Sequence, residues 1–220
     1  MKVLVIAPHP DDETLGCGGS IFRHKDEGDE IYWTIVTSIA SDDGWPEKKV
    51  LDRKKEIEQI SKTYNFSDTF NLNIPAAKVD TLPISTIVNK ISKVFNSIKP
   101  EIIYIPNAKD VHTDHQLIAL ALQSTFKWFR YPYIKRILMY ETPSETDFNF
   151  LEKNNFQPQV FLDISKYIDK KIKTMEIYKD EMGEYPFPRS ERVIRALSVI
   201  RGSQSGYDAA EAFQLVYERK

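Results

Sequence analysis

Three of the chain's four histidines, His9, His112 and His115, fall in two short polar segments rich in aspartate. One reads His9-Pro10-Asp11-Asp12-Glu13, the other His112-Thr113-Asp114-His115. Two imidazoles and a carboxylate form a donor set suited to Zn²⁺, which in catalytic sites takes three protein ligands and keeps a position for water. His9, Asp12 and His115 are the expected ligands. Asp11 would then lie beside the activated water without ligating the ion, placed to take a proton as that water attacks a carbonyl. His112, as imidazolium, is the candidate for stabilising a tetrahedral oxyanion and protonating a departing amine. Asp114 either orients His112 by accepting its other N–H or caps the following helix. Every role in metal-assisted amide hydrolysis has a candidate residue.

These segments can cooperate only if the fold brings them together across about a hundred residues of chain. Val3 to Ala7 is a continuous apolar run, as expected of a strand buried on both faces of a parallel sheet. A helix is expected from about Glu13 to Glu27, a second strand at Ile31–Val36, and a long charged helix from Pro46 to about Tyr64. Further strands are expected at Thr69–Leu72, Ile102–Ile105, Ile137–Tyr140 and Val160–Leu162. Between them lie an amphipathic helix, Ile84–Ile98, and another beginning near His115. This alternation predicts an α/β, Rossmann-like fold: a mostly parallel sheet with helices on both faces. With strand order 3-2-1-4-5, ligands bind beyond the carboxyl ends of strands one and four, where both polar segments emerge. The chain, 1–220, reads as a single domain. From about Glu141 an irregular lobe is expected to pack on it, with helices near Lys166–Lys179 and Glu191–Ile200.

Several other functions are disfavoured. The formal net charge of −2 gives no electrostatic reason to expect nucleic acid. The Met1-Lys2 start is too short and unflanked for a signal peptide, and no apolar stretch approaches a bilayer span, so no membrane partner and a cytoplasmic location are expected. Cys17, the single cysteine, allows no internal disulfide. A dinucleotide site would carry Gly-x-Gly-x-x-Gly after the first strand, but here that turn carries two carboxylates that repel phosphate. Gly16-Cys17-Gly18-Gly19 falls inside the helix, where small residues permit close packing. Paired aspartates also hold Mg²⁺ in phospho-acceptor receiver domains, but histidines are poor Mg²⁺ partners. His24 reads as exposed, Trp33 as core, and Trp45 as a packing residue rather than a platform for a sugar. Arg189, Arg192 and Arg195 read as a solvated helix edge.

The two motifs resemble those of the PIG-L (LmbE-like) family of zinc-dependent N-deacetylases: His-Pro-Asp-Asp-Glu after the first strand and His-x-x-His after the fourth. The resemblance implies His9, Asp12 and His115 as ligands of one Zn²⁺, Asp11 as general base and His112 as charged partner of the intermediate. Arg53 with Glu56 matches an Arg-x-x-Glu pattern whose arginine points toward substrate in relatives. The segments around Glu141, Pro188-Arg189-Ser190, Arg201-Gly202 and Ala210-Glu211-Ala212-Phe213 look like the branch associated with bacterial sugar and surface-glycan pathways. On this basis Arg53, Glu141 and Arg201 are candidates for substrate binding. One departure is Phe187, where histidine is expected in a Pro-His-Pro-Arg-Ser pattern. The activity implied is removal of acetyl from a small N-acetylated amino sugar or glycoconjugate. A zinc amidohydrolase acting on a non-sugar amide and a catalytically silent glycan-binding protein are the alternatives. Whether the chain forms a homo-oligomer is left open.

Overall fold

The apolar run near the start forms strand β1 (Lys2–Ala7), buried from Val3 onward. This computed structural model describes residues 1–150 and 156–220. Helix α1 (Asp12–Asp26) follows, then β2 (Glu30–Ser38), α2 (Glu47–Tyr64), β3 (Asp68–Pro75), α3 (Ile84–Ile98), β4 (Ile102–Pro106), α4 (Thr113–Thr125) and β5 (Arg136–Tyr140). The last part of the chain adds β6 (Val160–Asp163), α5 (Ile168–Met175), α6 (Glu191–Ser203) and β7 (Ala210–Glu218). Among the described residues the strands form one sheet in the order β3-β2-β1-β4-β5-β7-β6. The first five run parallel, as their helical crossovers require, whereas β7 lies antiparallel between β5 and β6. β1 lies inside the sheet, with Val3 opposite Ile31 of β2 and Ile102 of β4. The expected order of the first five strands is therefore observed.

Alternate residues of each strand face opposite sides of the sheet, and the core divides accordingly. Val3, Val5 and Ala7 pack with Trp33 against Leu15 and Ile21 of α1, Tyr64 of α2, Ile172 of α5 and Ile194 of α6. Leu4 and Ile6 pack on the other face against Ile91 and Phe95 of α3 and Ile118 and Leu122 of α4.

The glycines of α1 let this helix lie close to its neighbours. A Cβ on Gly16 would come within 2.3 Å of the Tyr140 ring, and one on Gly19 within 2.6 Å of Ile164. A buried ion pair also grips the helix. Lys171 Nζ donates to the Leu15 carbonyl at 2.7 Å and to Glu211 Oε1 at 2.6 Å, while Glu211 accepts from the N–H groups of Gly19 (2.9 Å) and Ser20 (2.7 Å). The Leu15 carbonyl and Gly19 N–H are i, i+4 partners in a regular helix. Here α5 and β7 each bond one of them, which ties the late part of the chain to the helix that follows the first motif.

α4 begins at Thr113, near His115 as expected. Other expectations are corrected. β7 was not anticipated, because its sequence, AEAFQLVYE, carries the buried Glu211 in its inner half and exposed Leu215 at its outer end, so no alternating pattern shows. His24 is buried, with Nδ1 2.7 Å from Asp29 and Nε2 2.8 Å from the Tyr104 hydroxyl.

Removing the cation of a buried pair strands its partner's charge. Lys171→Met is expected to lower unfolding stability by about 3–5 kcal/mol in urea titrations. Lys173→Met, at an exposed position of the same helix, should change it by less than about 0.5 kcal/mol.

Candidate metal centre and active-site cleft

β1 and β4 are adjacent and parallel, so the loops leaving their carboxyl ends meet. His9 belongs to the loop after β1, Asp12 is the first residue of α1, and His115 lies in the first turn of α4. Their side chains converge: His115 Nε2 is 3.3 Å from His9 Nδ1 and 3.3 Å from Asp12 Oδ2, and His9 Nδ1 is 3.5 Å from Asp12 Oδ2. Tetrahedral zinc with ligands at 2.0–2.1 Å requires ligand atoms separated by about 3.3 Å. The triangle therefore fits the ion, and its N/N/O donor chemistry suits it. Each imidazole is also held from behind by a carboxylate, as metal-binding histidines usually are. Asp110 Oδ2 lies 2.8 Å from His115 Nδ1, and Asp114 Oδ2 lies 3.1 Å from His9 Nε2.

The electrostatics agree with this arrangement. Burial disfavours the His9 imidazolium, yet the hydrogen bonds to Asp114 and Asp12 outweigh it and raise the pKa to about 9. His115 is raised as well, against its burial, chiefly by Asp12 and Asp110. Burial disfavours the Asp12 carboxylate, but the two imidazoles hold its pKa well below the usual range. The surrounding acids thus favour positive charge at the triangle.

Asp114 and His112 depart from the roles expected of them. Asp114 orients His9, not His112: its carboxylate takes His9 Nε2 and the Ala77 N–H (2.8 Å). His112 is itself the N-cap of α4, with its Nδ1 accepting the Asp114 N–H at 3.1 Å. A nitrogen that accepts a hydrogen bond carries no proton, so the ring is neutral and its Nε2–H is the donor. Burial, helped by His9 and His115, pushes the His112 pKa down to about 4. The hydrogen bond at Nδ1 and the burial both favour a neutral ring at this position, where an imidazolium was expected.

Asp11 and Asp12 are consecutive, and in a regular extended segment their side chains would diverge. Asp11 instead has φ 145° and ψ −31°, a conformation that costs a non-glycine residue of order 1–3 kcal/mol. With this turn of the backbone both carboxylates line the same cleft. Glu13 supports it: its Oε2 accepts the Asp11 N–H at 3.1 Å, and its Oε1 accepts the hydroxyls of Thr14 (2.6 Å) and Tyr178 (2.8 Å). Glu13 is fully buried and forms no ion pair among the described residues, and desolvation lifts its pKa to about 7.

The late lobe completes the site with residues that sequence reasoning did not select. Arg189 donates through Nη1 to Asp11 Oδ2 (2.8 Å) and Glu181 Oε2 (3.0 Å), through Nη2 to Glu145 Oε1 (3.3 Å), and through Nε to Ser144 Oγ (2.8 Å). Arg189 is not part of a solvated helix edge; it precedes the Ser190 N-cap of α6 and points inward. Its only sequence signal was the Pro188-Arg189-Ser190 segment. Burial raises the Asp11 pKa well above the usual carboxylate value, Asp12 adds to this, and Arg189 opposes it.

Of the substrate-binding candidates, Arg53 lines the cleft, where Nη1 donates to the Pro10 carbonyl (2.8 Å) and Nη2 pairs with Glu181. Glu141 and Arg201 do not. They form a two-pronged ion pair with each other (2.6 and 2.5 Å) that ties α6 to the end of β5, away from the triad's cleft. The cleft has a volume of about 590 Å³, and Trp45 is in its wall. Phe187 is not among its lining residues.

Fold and site together define a Rossmann-like α/β protein with a His/Asp/His candidate metal centre at the carboxyl edge of its sheet. Residues 4–126 match the family described as PIG-L, GlcNAc-PI de-N-acetylase, and the chain belongs to that family. It is 24% identical to the diacetylchitobiose deacetylase of Thermococcus kodakarensis over 98% of this chain and 83% of that protein. In fold it resembles the N,N'-diacetylchitobiose deacetylase of Pyrococcus horikoshii, with a TM-score of 0.77 at 20% identity, covering 98% of this chain and 83% of the other. It also resembles GalB, the 4-carboxy-2-hydroxymuconate hydratase of Pseudomonas putida KT2440, with a TM-score of 0.74 at 16% identity, covering 100% and 97%. Among the described residues no helix is long and apolar enough to cross a membrane.

Outer-shell carboxylates set the orientation and basicity of the ligands they hold. Asp110→Asn and Asp114→Asn are each expected to weaken zinc binding about 10–100-fold in competition titrations with a chromophoric chelator. Glu141→Gln, outside the cleft, should leave that affinity unchanged.

Proposed function

We propose that the protein is a zinc-dependent hydrolase that removes the acetyl group from the nitrogen of an N-acetyl amino sugar or small glycoconjugate. The observation that carries this reading is the triangle of His9 Nδ1, His115 Nε2 and Asp12 Oδ2, with edges of 3.3–3.5 Å, lining a cleft of about 590 Å³. The family match and the diacetylchitobiose deacetylase relative support an N-acetylated, sugar-type substrate. Zinc held by these three residues would polarise the amide carbonyl and bring the pKa of water toward neutrality.

The chain's own groups supply the remaining chemistry. Arg189 occupies Asp11 Oδ2, which leaves Oδ1 to accept the proton of the attacking water. His112, neutral, donates its Nε2–H to the oxyanion as the carbonyl becomes tetrahedral. The proton on Asp11 then passes to the amine nitrogen as the C–N bond breaks, giving acetate and a free amino sugar. Arg53, fixed by Pro10 and Glu181, forms a rigid part of the wall that positions the sugar.

Purified, zinc-loaded protein is expected to release acetate from N-acetylglucosamine glycosides faster than from simple acetylamides. Acetate from the simple amides alone would move the reading to a non-sugar amidohydrolase, and acetate from neither would overturn it. Asp11→Asn should retain one zinc per chain by elemental analysis and lose about 10²–10⁴-fold in kcat. Normal turnover in that variant would remove Asp11 as the base.

Glu13 acts through Asp11. Glu13→Ala, which releases the Asp11 N–H, should lower kcat at least tenfold with zinc content and KM little changed. Glu13→Gln, which keeps an oxygen for that N–H, should recover most of the loss. If Gln proved as inactive as Ala, the backbone restraint would not be the role of this residue.

A further inference from the structure

The cleft extends well past the triad, and its outer wall differs in character from its floor. At the floor the charges answer one another. Glu181 binds both Arg53 and Arg189, and Arg189 also binds Asp11 and Glu145. The outer wall comes from the connection between β2 and α2 and from one face of α2, carrying Trp45, Lys49, Val50, Lys54 and Ile57. Asp43, the acid on this wall, is taken up by Lys78 at 2.9 Å.

Positive charge remains unanswered there. Lys54 is exposed and forms no ion pair among the described residues. Lys49 reaches Asp180 at 3.7 Å, but that carboxylate is 67% exposed, where pairing holds a cation weakly. The Lys49 ammonium also lies 5.3 Å from the centre of the half-buried Trp45 ring. An indole, the apolar side chains of Val50 and Ile57, and two cations therefore face one stretch of cleft. Such a surface suits a flat or apolar group that carries a negative charge.

Resting on the deacetylase reading above, we infer that this outer half of the cleft binds the part of the substrate beyond the N-acetyl sugar and selects an anionic one. The sugar sits over the triad, its aglycone lies along α2, and Lys49 and Lys54 receive a carboxylate or phosphate on that aglycone. Trp45 is then part of the binding surface, in contrast to the packing role expected of it.

The test separates binding from turnover. Calorimetry on the zinc-loaded protein compares phenyl and 4-carboxyphenyl glucosaminides, which lack the acetyl group and are not consumed. The carboxylate is expected to bind about tenfold more tightly, as two weakly paired cations allow. The advantage should shrink in 1 M NaCl, where the screening length is about 3 Å. It should disappear in Lys49→Gln/Lys54→Gln, with an unchanged melting temperature showing that the variant is folded. Equal affinity of the two glucosaminides for the wild-type protein would overturn the inference, as would an advantage that survives the double substitution. Acetate release from the matching N-acetyl compounds is read in parallel. Its absence would sink the deacetylase reading, while the calorimetry still decides what the outer cleft selects.

Discussion

Five carboxylates crowd the carboxyl ends of β1 and β4: Asp11, Asp12, Asp110, Asp114 and Glu145, each less than a tenth exposed. An isolated buried charge is strongly unfavourable, so each of these acids must meet positive charge or hydrogen-bond donors. The structure answers with His9 and His115 between Asp12, Asp110 and Asp114, and with Arg189 between Asp11 and Glu145. The demand for cations explains why the late lobe is built as it is. Its connection between α5 and α6 must bring Arg189 back to the first loop, and α5 and β7 are anchored on α1 by Lys171 and Glu211 to let it do so. A divalent ion between His9, Asp12 and His115 fits the same electrostatic demand.

The two adjacent aspartates show how one loop serves two purposes. Asp12 opens α1, and its carboxylate faces both imidazoles; Asp11, one residue earlier, faces Arg189 and the cleft. What separates their duties is the backbone at Asp11, whose unfavourable conformation is held by a carboxylate with no cation of its own. Glu13 at that position stabilises little by itself, since burial without a charge partner is unfavourable. What it does is accept the Asp11 N–H and so restrain the backbone of its neighbour.

The sequence made the strands, their order from β3 to β5 and the convergence of His9, Asp12 and His115 legible, because these depend on local patterns and one topological rule. Apolar runs mark buried strands, and the reversal of strand order at β1 and β4 says which loops meet. The supporting carboxylates were harder to see. Asp110 lies five residues before His115 in a loop, and nothing in its spacing distinguishes it from a turn residue. Asp114 reads as either an orienter of His112 or a helix cap, but its side chain reaches His9, which is not its nearest histidine in sequence. Arg189 and Glu181 come from a segment with little periodicity, placed by contacts to Asp11 and Arg53, which lie 178 and 128 residues away in the chain. Glu141 and Arg201 differ in the opposite way: their motif context is visible in the sequence, but the ion pair they form with each other outside the cleft is not. β7 was hidden by a charge in a strand's buried half, which local hydrophobicity counts against a strand and which the distant Lys171 and the N–H groups of Gly19 and Ser20 make tolerable.

Fold alone does not choose the reaction, since a hydratase shares this architecture with the deacetylases. The choice rests on how the inner cleft is furnished, and there the constraints are tight. The His9, Asp12 and His115 triangle, its two supporting carboxylates, the strained aspartate and the arginine that binds it all depend on one another, so that a change in any one strands a charge or frees a hydrogen-bonding group. The outer cleft has no such interdependence. Lys49, Lys54 and Trp45 sit on one helix and the loop before it, and altering them leaves the buried ion pairs intact. Such a division would let the groups at the carboxyl ends of β1 and β4 stay fixed while the side chains along α2 vary, since those are the cleft residues least bound by the fold.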